Sequence, residues 1–162
     1  PVFFRQTRVG KYGELFSIHK FRSMTVDASS KGLQITVGAD VRITRVGCFL
    51  RKYKLDELAQ LIDVFKGTMS LVGPRPEVPF YVDFYPDEIR KIVLSVKPGI
   101  TDLASIEYKD ENEILSKSDD PQRTYVNYVL PIKLRYYVDY VQNRSLFGDL
   151  KIIFATLLAI FK

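Results

Sequence analysis

Cysteine and histidine are nearly absent from this 162-residue chain: Cys48 and His19 are the single examples, and tryptophan is missing altogether. One thiol excludes an internal disulfide framework and a cysteine-rich zinc site, and one imidazole excludes a His-rich metal site. Both residues are expected to be packed or surface groups rather than catalytic ones. No apolar run reaches the roughly 20 residues needed to cross a bilayer, and the first residues do not read as a signal peptide. A Walker loop, a Gly-x-Gly-x-x-Gly turn and a Gly-x-Ser-x-Gly elbow are all missing, so kinase-like, dinucleotide and hydrolase chemistry lack support. Repeats and low-complexity tracts are missing as well.

What is present suits one folded domain over residues 1–162. Hydrophobic residues make up 46% and charged residues 27%, so disorder is not the default. Net charge is +5, which implies an anionic partner: nucleic acid, anionic lipid or nucleotide phosphate. Nucleic acid is the weakest of the three, because no RNA or DNA motif occurs and the basic residues are dispersed among acids.

The chemistry concentrates between Leu55 and Pro76. Leu55-Asp56-Glu57-Leu58 places two acids at the expected start of an amphipathic helix, where the dipole favours an anion and a phosphate would be equally at home. Taken alone, such a pair is an ordinary complement to a helix dipole. Further on, Ser70-Leu71-Val72-Gly73-Pro74-Arg75-Pro76-Glu77 holds an arginine between two prolines. Pro74 and Pro76 stiffen the backbone, which makes Arg75 a pre-set fork for an anion. Two anions drawn to one place need a cation between them, and Asp56 with Glu57 can supply oxygen ligands to Mg²⁺.

Five runs occur in order: Arg42-Ile43-Thr44-Arg45-Val46-Gly47, Phe49-Leu50-Arg51-Lys52, the acid pair, Gly73-Pro74-Arg75-Pro76-Glu77 and Lys97-Pro98-Gly99-Ile100-Thr101. Together with Gln6-x-Arg8-x-Gly10-x-x-Gly13-x-x-Phe16, Lys20-Phe21-Arg22-Ser23-Met24 and Asp149-Leu150-Lys151-Ile152, the chain resembles the bacterial sugar transferases. These are monotopic phosphoglycosyl transferases, which load a sugar phosphate onto a polyprenyl phosphate. The resemblance covers nearly the whole chain. It implies that Asp56 is the nucleophile at the β-phosphorus of a UDP-sugar, expelling UMP and leaving a covalent sugar phosphate, with Glu57 helping to hold Mg²⁺. It also implies that Arg75, framed by Pro74 and Pro76, binds the nucleotide end, with Arg51 and Arg22 as further substrate-binding candidates. The implied partners are a UDP-sugar, polyprenyl phosphate and membrane lipid at the cytoplasmic face of the bacterial inner membrane, with a membrane-inserted segment preceding Pro1. Two departures stand out: Gly99-Ile100-Thr101 continues as Asp102-Leu103-Ala104-Ser105 where many members have Gly-x-Ala-Gln-Val, and Ala59 replaces a usual proline.

The expected fold is α+β, mostly helical, with short antiparallel strands near the N-terminal half and a membrane-associated surface. Residues 3–22 read as a hairpin turning at Gly10 and Gly13, followed by a polar loop, 25–39, near the site. Leu50, Leu58, Leu61, Ile62 and Phe65 follow helical spacing, predicting a helix whose apolar stripe faces the core and which stops at Gly67. Asp87 is the expected N-cap of a helix over 88–96, and Asp119-Asp120-Pro121 caps another. Glu107, Asp110, Glu111 and Glu113 read as a solvated face, and the dense tyrosines after Pro121 as core or membrane interface. The apolar C-terminal segment, 146–162, fits an interfacial helix with Lys151 and Lys162 toward headgroups, the alternative being a buried helix of a globular domain. The alternative reading of the whole chain is a basic peripheral module that binds lipid without catalysis.

Overall fold

A computed structural model of the chain describes residues 1–28, 35, 40–108 and 111–160. Most of the polar loop 25–39, together with Asp110, Phe161 and Lys162, lies outside the described residues. The N-terminal hairpin forms as predicted: β1 (Phe3–Val9) pairs antiparallel with β2 (Leu15–Phe21), Phe3 opposite Phe21 and Val9 opposite Leu15. Its turn, Lys11–Gly13, is a 3₁₀ turn that Gly13 closes at φ +85°.

After the loop, α1 (Arg45–Lys52) begins at Thr44, whose hydroxyl accepts a hydrogen bond from the Gly47 amide at 2.9 Å. Gly47 is required for a spatial reason: a Cβ there would lie 1.8 Å from the Ser23 carbonyl oxygen. That close approach docks α1 on the chain leaving β2.

The acid pair does not open a long α-helix. Lys54, in the left-handed region at φ 55°, turns the chain into a 3₁₀ segment, Leu55–Gln60, and only then follows the short α2 (Leu61–Phe65). Gly67, at φ 79°, stops it as expected. The predicted stripe points the wrong way for a core: Leu58, Leu61 and Ile62 are exposed, and Phe65 is 95% exposed. Asp56, Ala59, Gln60 and Asp63 face inward instead, the 3₁₀ segment packing against β2. Periodicity locates a face of a helix but cannot say which face turns inward, and here the buried polar groups have partners that hold them. Asp63 accepts from the His19 amide at 2.8 Å and meets His19 Nδ1 at 2.6 Å.

Next come β3 (Ser70–Val72), α3 (Pro79–Val82), α4 (Asp87–Val93) and β4 (Gly99–Thr101). β3 and β4 are parallel, Ser70 opposite Gly99, with α3 and α4 in the crossover, so the strands are not all antiparallel. Asp87 is the first residue of α4 and Pro86 occupies the cap without a side-chain bond, so the expected Asp87 cap is replaced by proline's pre-set φ.

The remainder is helical: α5 (Leu103–Glu107), α6 (Glu111–Ser116), α7 (Pro121–Thr124), a π-helical turn (Tyr125–Val129), α8 (Leu130–Asn143) and α9 (Leu146–Ile160). Asp120 caps α7 as predicted, accepting from the Arg123 amide at 3.0 Å. Tyr81, Tyr85, Tyr125, Val129, Leu130, Leu134 and Tyr137 form the centre of the core, so most of the tyrosines are packing residues. Glu111 is not wholly solvated, since Lys133 reaches it at 3.3 Å. α9 leaves Leu146, Phe147, Leu150, Phe154, Leu157 and Leu158 exposed. The fold is an α+β mixture, and among the described residues no helix is long and apolar enough to cross a membrane.

Candidate active site

Two neighbouring acids meet different surroundings because a 3₁₀ segment turns each residue about 120° from the last. Glu57 points at cations. Its Oε2 accepts from Arg75 Nη1 at 3.1 Å, and its Oε1 accepts from Arg75 Nη2 and from Lys20 Nζ, the latter at 3.0 Å. Asp56, only 7% exposed, receives no hydrogen bond from any described residue.

Arg75 reaches Glu57 from a loop fixed at both ends. Before it, the Pro74 carbonyl accepts from the Gly99 amide at 3.0 Å, and Gly73 N–H donates to the Thr101 carbonyl at 3.1 Å. A Cβ on Gly99 would lie 2.1 Å from the Gly73 nitrogen, so this crossing tolerates only glycine. Lys97-Pro98-Gly99-Ile100-Thr101 and Gly73-Pro74-Arg75-Pro76 are therefore two sides of one structure. After Arg75, Arg8 Nη1 donates to the Pro76 carbonyl at 2.9 Å.

Charge sets the acids apart. Burial raises the Glu57 carboxyl, but Arg75 and Lys20 outweigh it and hold the group well below the usual carboxylate range. For Asp56, burial and the adjacent Glu57 charge push the carboxyl up, against the opposing pull of Lys20, Arg51 and Arg75. Lys20 is pushed down to about 8, chiefly by burial, with Arg75 and Arg8 adding like charge against the attraction of Glu57. The helix-dipole argument gives way here to these side chains: a 3₁₀ turn headed by a left-handed Lys54 is not an N-terminal anion site, and basic side chains from three other segments supply the positive field.

Asp56, Glu57 and Arg75 come together as predicted, and Pro74 and Pro76 frame the arginine. Arg51 joins through its charge on Asp56, and its Nε donates to Ser23 Oγ at 3.1 Å. Arg22 sits apart from this cluster in its bonding, donating to the Pro1 and Phe3 carbonyls, both at 3.0 Å. Lys20 had no assigned role in the sequence reading. The signal for it was β-strand alternation, since it shares a strand face with the buried Ile18 two residues before.

As a metal site the acid pair is partial. Three donors already occupy the two Glu57 oxygens, leaving about one lone-pair position there, whereas Asp56 is uncommitted. Among the described residues no group of three His, Cys, Asp or Glu side chains could hold a metal. Two carboxylates suit Mg²⁺, which takes its other ligands from substrate phosphates and water.

The model of the family described as bacterial sugar transferase matches residues 1–162. The chain belongs to the bacterial sugar transferase family. Among its relatives, a UDP-glucose:undecaprenyl-phosphate glucose-1-phosphate transferase of Klebsiella pneumoniae is 41% identical over 160 residues, covering 96% of this chain and 32% of the relative. A UDP-N-acetylgalactosamine-undecaprenyl-phosphate N-acetylgalactosaminephosphotransferase of Aeromonas hydrophila is 38% identical over 159 residues, covering 97% and 34%. An uncharacterized sugar transferase of Bacillus subtilis is 40% identical over 156 residues, covering 96% and 68%. The chain thus spans about a third of the length of the first two. The departure at Asp102 has a local role in this chain: its buried carboxylate caps α5, accepting from the Ser105 amide at 2.9 Å and the Ser105 hydroxyl at 2.5 Å.

Proposed function

We propose that this chain is the catalytic portion of an enzyme that transfers a sugar phosphate from a UDP-sugar to a polyprenyl phosphate such as undecaprenyl phosphate, releasing UMP and initiating assembly of a surface glycan. The observation that carries the reading is the unequal treatment of two adjacent acids, one clamped by an arginine fork and a lysine, the other buried and uncommitted beside three cations.

An Asp56 carboxylate oxygen attacks the β-phosphorus, the bond from that phosphorus to the bridging oxygen breaks, and UMP leaves with the electron pair. The sugar phosphate is then an acyl phosphate on Asp56. An oxygen of the polyprenyl phosphate attacks the same phosphorus, the bond to Asp56 breaks, and the carboxylate is restored. An ionised carboxylate needs no general base for this. Arg75, Lys20 and Arg51 oppose the charge of the diphosphate, and Glu57 keeps Arg75 and Lys20 gathered until it arrives. Mg²⁺ held by Asp56 and Glu57 with the diphosphate oxygens would add charge neutralisation.

The acceptor is a lipid, so the site should face a bilayer. The exposed Val46 and Phe49 of α1, Leu58 of the 3₁₀ segment and Leu61 and Phe65 of α2, with the exposed apolar residues of α9, support this reading. We place it on the cytoplasmic face of the inner membrane. The test uses the full-length protein in membranes with a panel of UDP-sugars labelled in the sugar. Label should appear on the protein, leave when polyprenyl phosphate is added, and never appear with Asp56→Asn. Vesicle binding with no labelling by any donor would favour the non-catalytic peripheral module.

A further inference from the structure

Behind the Arg75 loop lies a buried cluster of charges that the reaction does not use directly. Glu77, two residues after Arg75, is buried, and its carboxylate accepts from the Tyr125 hydroxyl at 2.5 Å. Lys133 Nζ lies 3.5 Å from the same oxygen, and Arg8 Nη1 lies 3.8 Å from the other. The Glu77 carbonyl accepts from the Val9 amide at 3.0 Å. Lys133 also donates to the Tyr125 hydroxyl at 3.2 Å and to Glu111 at 3.3 Å, while Arg8 donates to the Pro76 carbonyl and to Gln6. One carboxylate thus ties the loop to β1 on one side and to the helices on the other.

The helix is built to allow this. Tyr125 and Lys133 are eight residues apart, which on an unbroken α-helix would set them about 80° apart around the axis. The π-helical turn Tyr125–Val129 absorbs one extra residue, so the pair aligns as residues seven apart do, after about two turns. Stability is a poor reason for such a cluster, since a buried ion pair is often no better than packed apolar groups of the same volume. Specifying one geometry is a better reason.

We propose that Glu77 is a positioning residue for Arg75: with Arg8, Tyr125 and Lys133 it fixes the backbone from which the arginine fork reaches the donor's phosphates. This rests on the reading of Arg75 as the grip on the nucleotide diphosphate. Its effect should therefore appear mainly in donor KM and vanish when the fork is already lost.

The experiment measures donor kinetics of the full-length protein in membranes for Glu77→Gln, Arg75→Lys and the double variant, with thermal midpoints alongside. Glu77→Gln is expected to raise KM for the UDP-sugar about tenfold with a smaller change in kcat, and to add little in the Arg75→Lys background. Equal fold-losses from Glu77→Gln in both backgrounds, or a folded Glu77→Gln protein with unchanged KM, would overturn the proposal. If Glu77→Gln does not fold, Tyr125→Phe decides, because it removes one hydrogen bond and should raise KM severalfold in the same non-additive way; unchanged KM there overturns the proposal equally. Should Arg75→Lys itself leave donor use intact, the reading of the grip falls and this proposal with it, whereas a damaging Arg75→Lys beside a neutral Glu77→Gln removes the proposal alone.

Discussion

The guanidinium of Arg75 grips both oxygens of the Glu57 carboxylate across eighteen residues of sequence. Glu57 consequently behaves as a counter-ion that gathers Arg75 and Lys20, whereas Asp56 beside it carries no such hydrogen bond from the described residues. The two acids should therefore respond oppositely to substitution and to pH.

For Asp56 the folded-state pKa is raised, so ionisation of this group opposes folding: its stabilising contribution is full below the ordinary carboxylate pKa and is lost as pH rises through the folded value. Asp56→Asn is thus expected to abolish turnover and covalent labelling while raising the thermal midpoint at pH 7, by about 2–4 °C for each kcal/mol relieved in a chain of this size. Calorimetry beside a labelling assay checks both. A variant that turns over normally would remove Asp56 as the nucleophile.

Glu57 has the reverse sign. Its folded pKa is depressed, so its contribution is present above the ordinary carboxylate pKa and is lost as pH falls below it. Glu57→Gln should destabilise by about 2 kcal/mol, since it leaves Arg75 and Lys20 facing each other with less compensation. It should also slow turnover and weaken the response to Mg²⁺. An unchanged Mg²⁺ titration would take Glu57 out of the metal site.

Arg75→Lys keeps the charge and loses the planar fork. We expect kcat/KM for the UDP-sugar to fall about tenfold or more, because one ammonium cannot make two parallel bonds. Equal kcat/KM for the two proteins would show that only charge matters at this position.

Lys20, pushed down to about 8, should lose its proton within the range of an ordinary assay. Donor kcat/KM is expected to decline above about pH 8, since that parameter reports the free enzyme's groups. Lys20→Arg, which stays protonated, should move the alkaline limb upward. A limb that stays in place would mean that another group sets it.

On α9, Phe154 and Leu158 are exposed. Changing both to Ser should weaken co-sedimentation with anionic vesicles severalfold and leave the thermal midpoint nearly unchanged. Loss of the folded protein instead would make the helix part of the core.

Local chemistry determined much of this protein from the sequence alone. The hairpin over 3–22, the Asp120 cap and the stop at Gly67 rest on neighbours in the chain and are found in place, and the motifs alone picked out Asp56, Glu57 and Arg75, which the fold brings close together. The tertiary structure decided what depends on distant partners. Apolar spacing marked the stripe of Leu58, Leu61 and Phe65 but gave it the wrong direction, because a polar face turns inward when buried groups such as His19 are there to receive it. The parallel pairing of Ser70 with Gly99, the approach of Lys20 to Glu57 and the junction of Glu77 with Lys133 each join segments far apart in sequence. Chain closure over such separations leaves no periodic trace in the residues themselves, and only packing brings those charges within reach of one another.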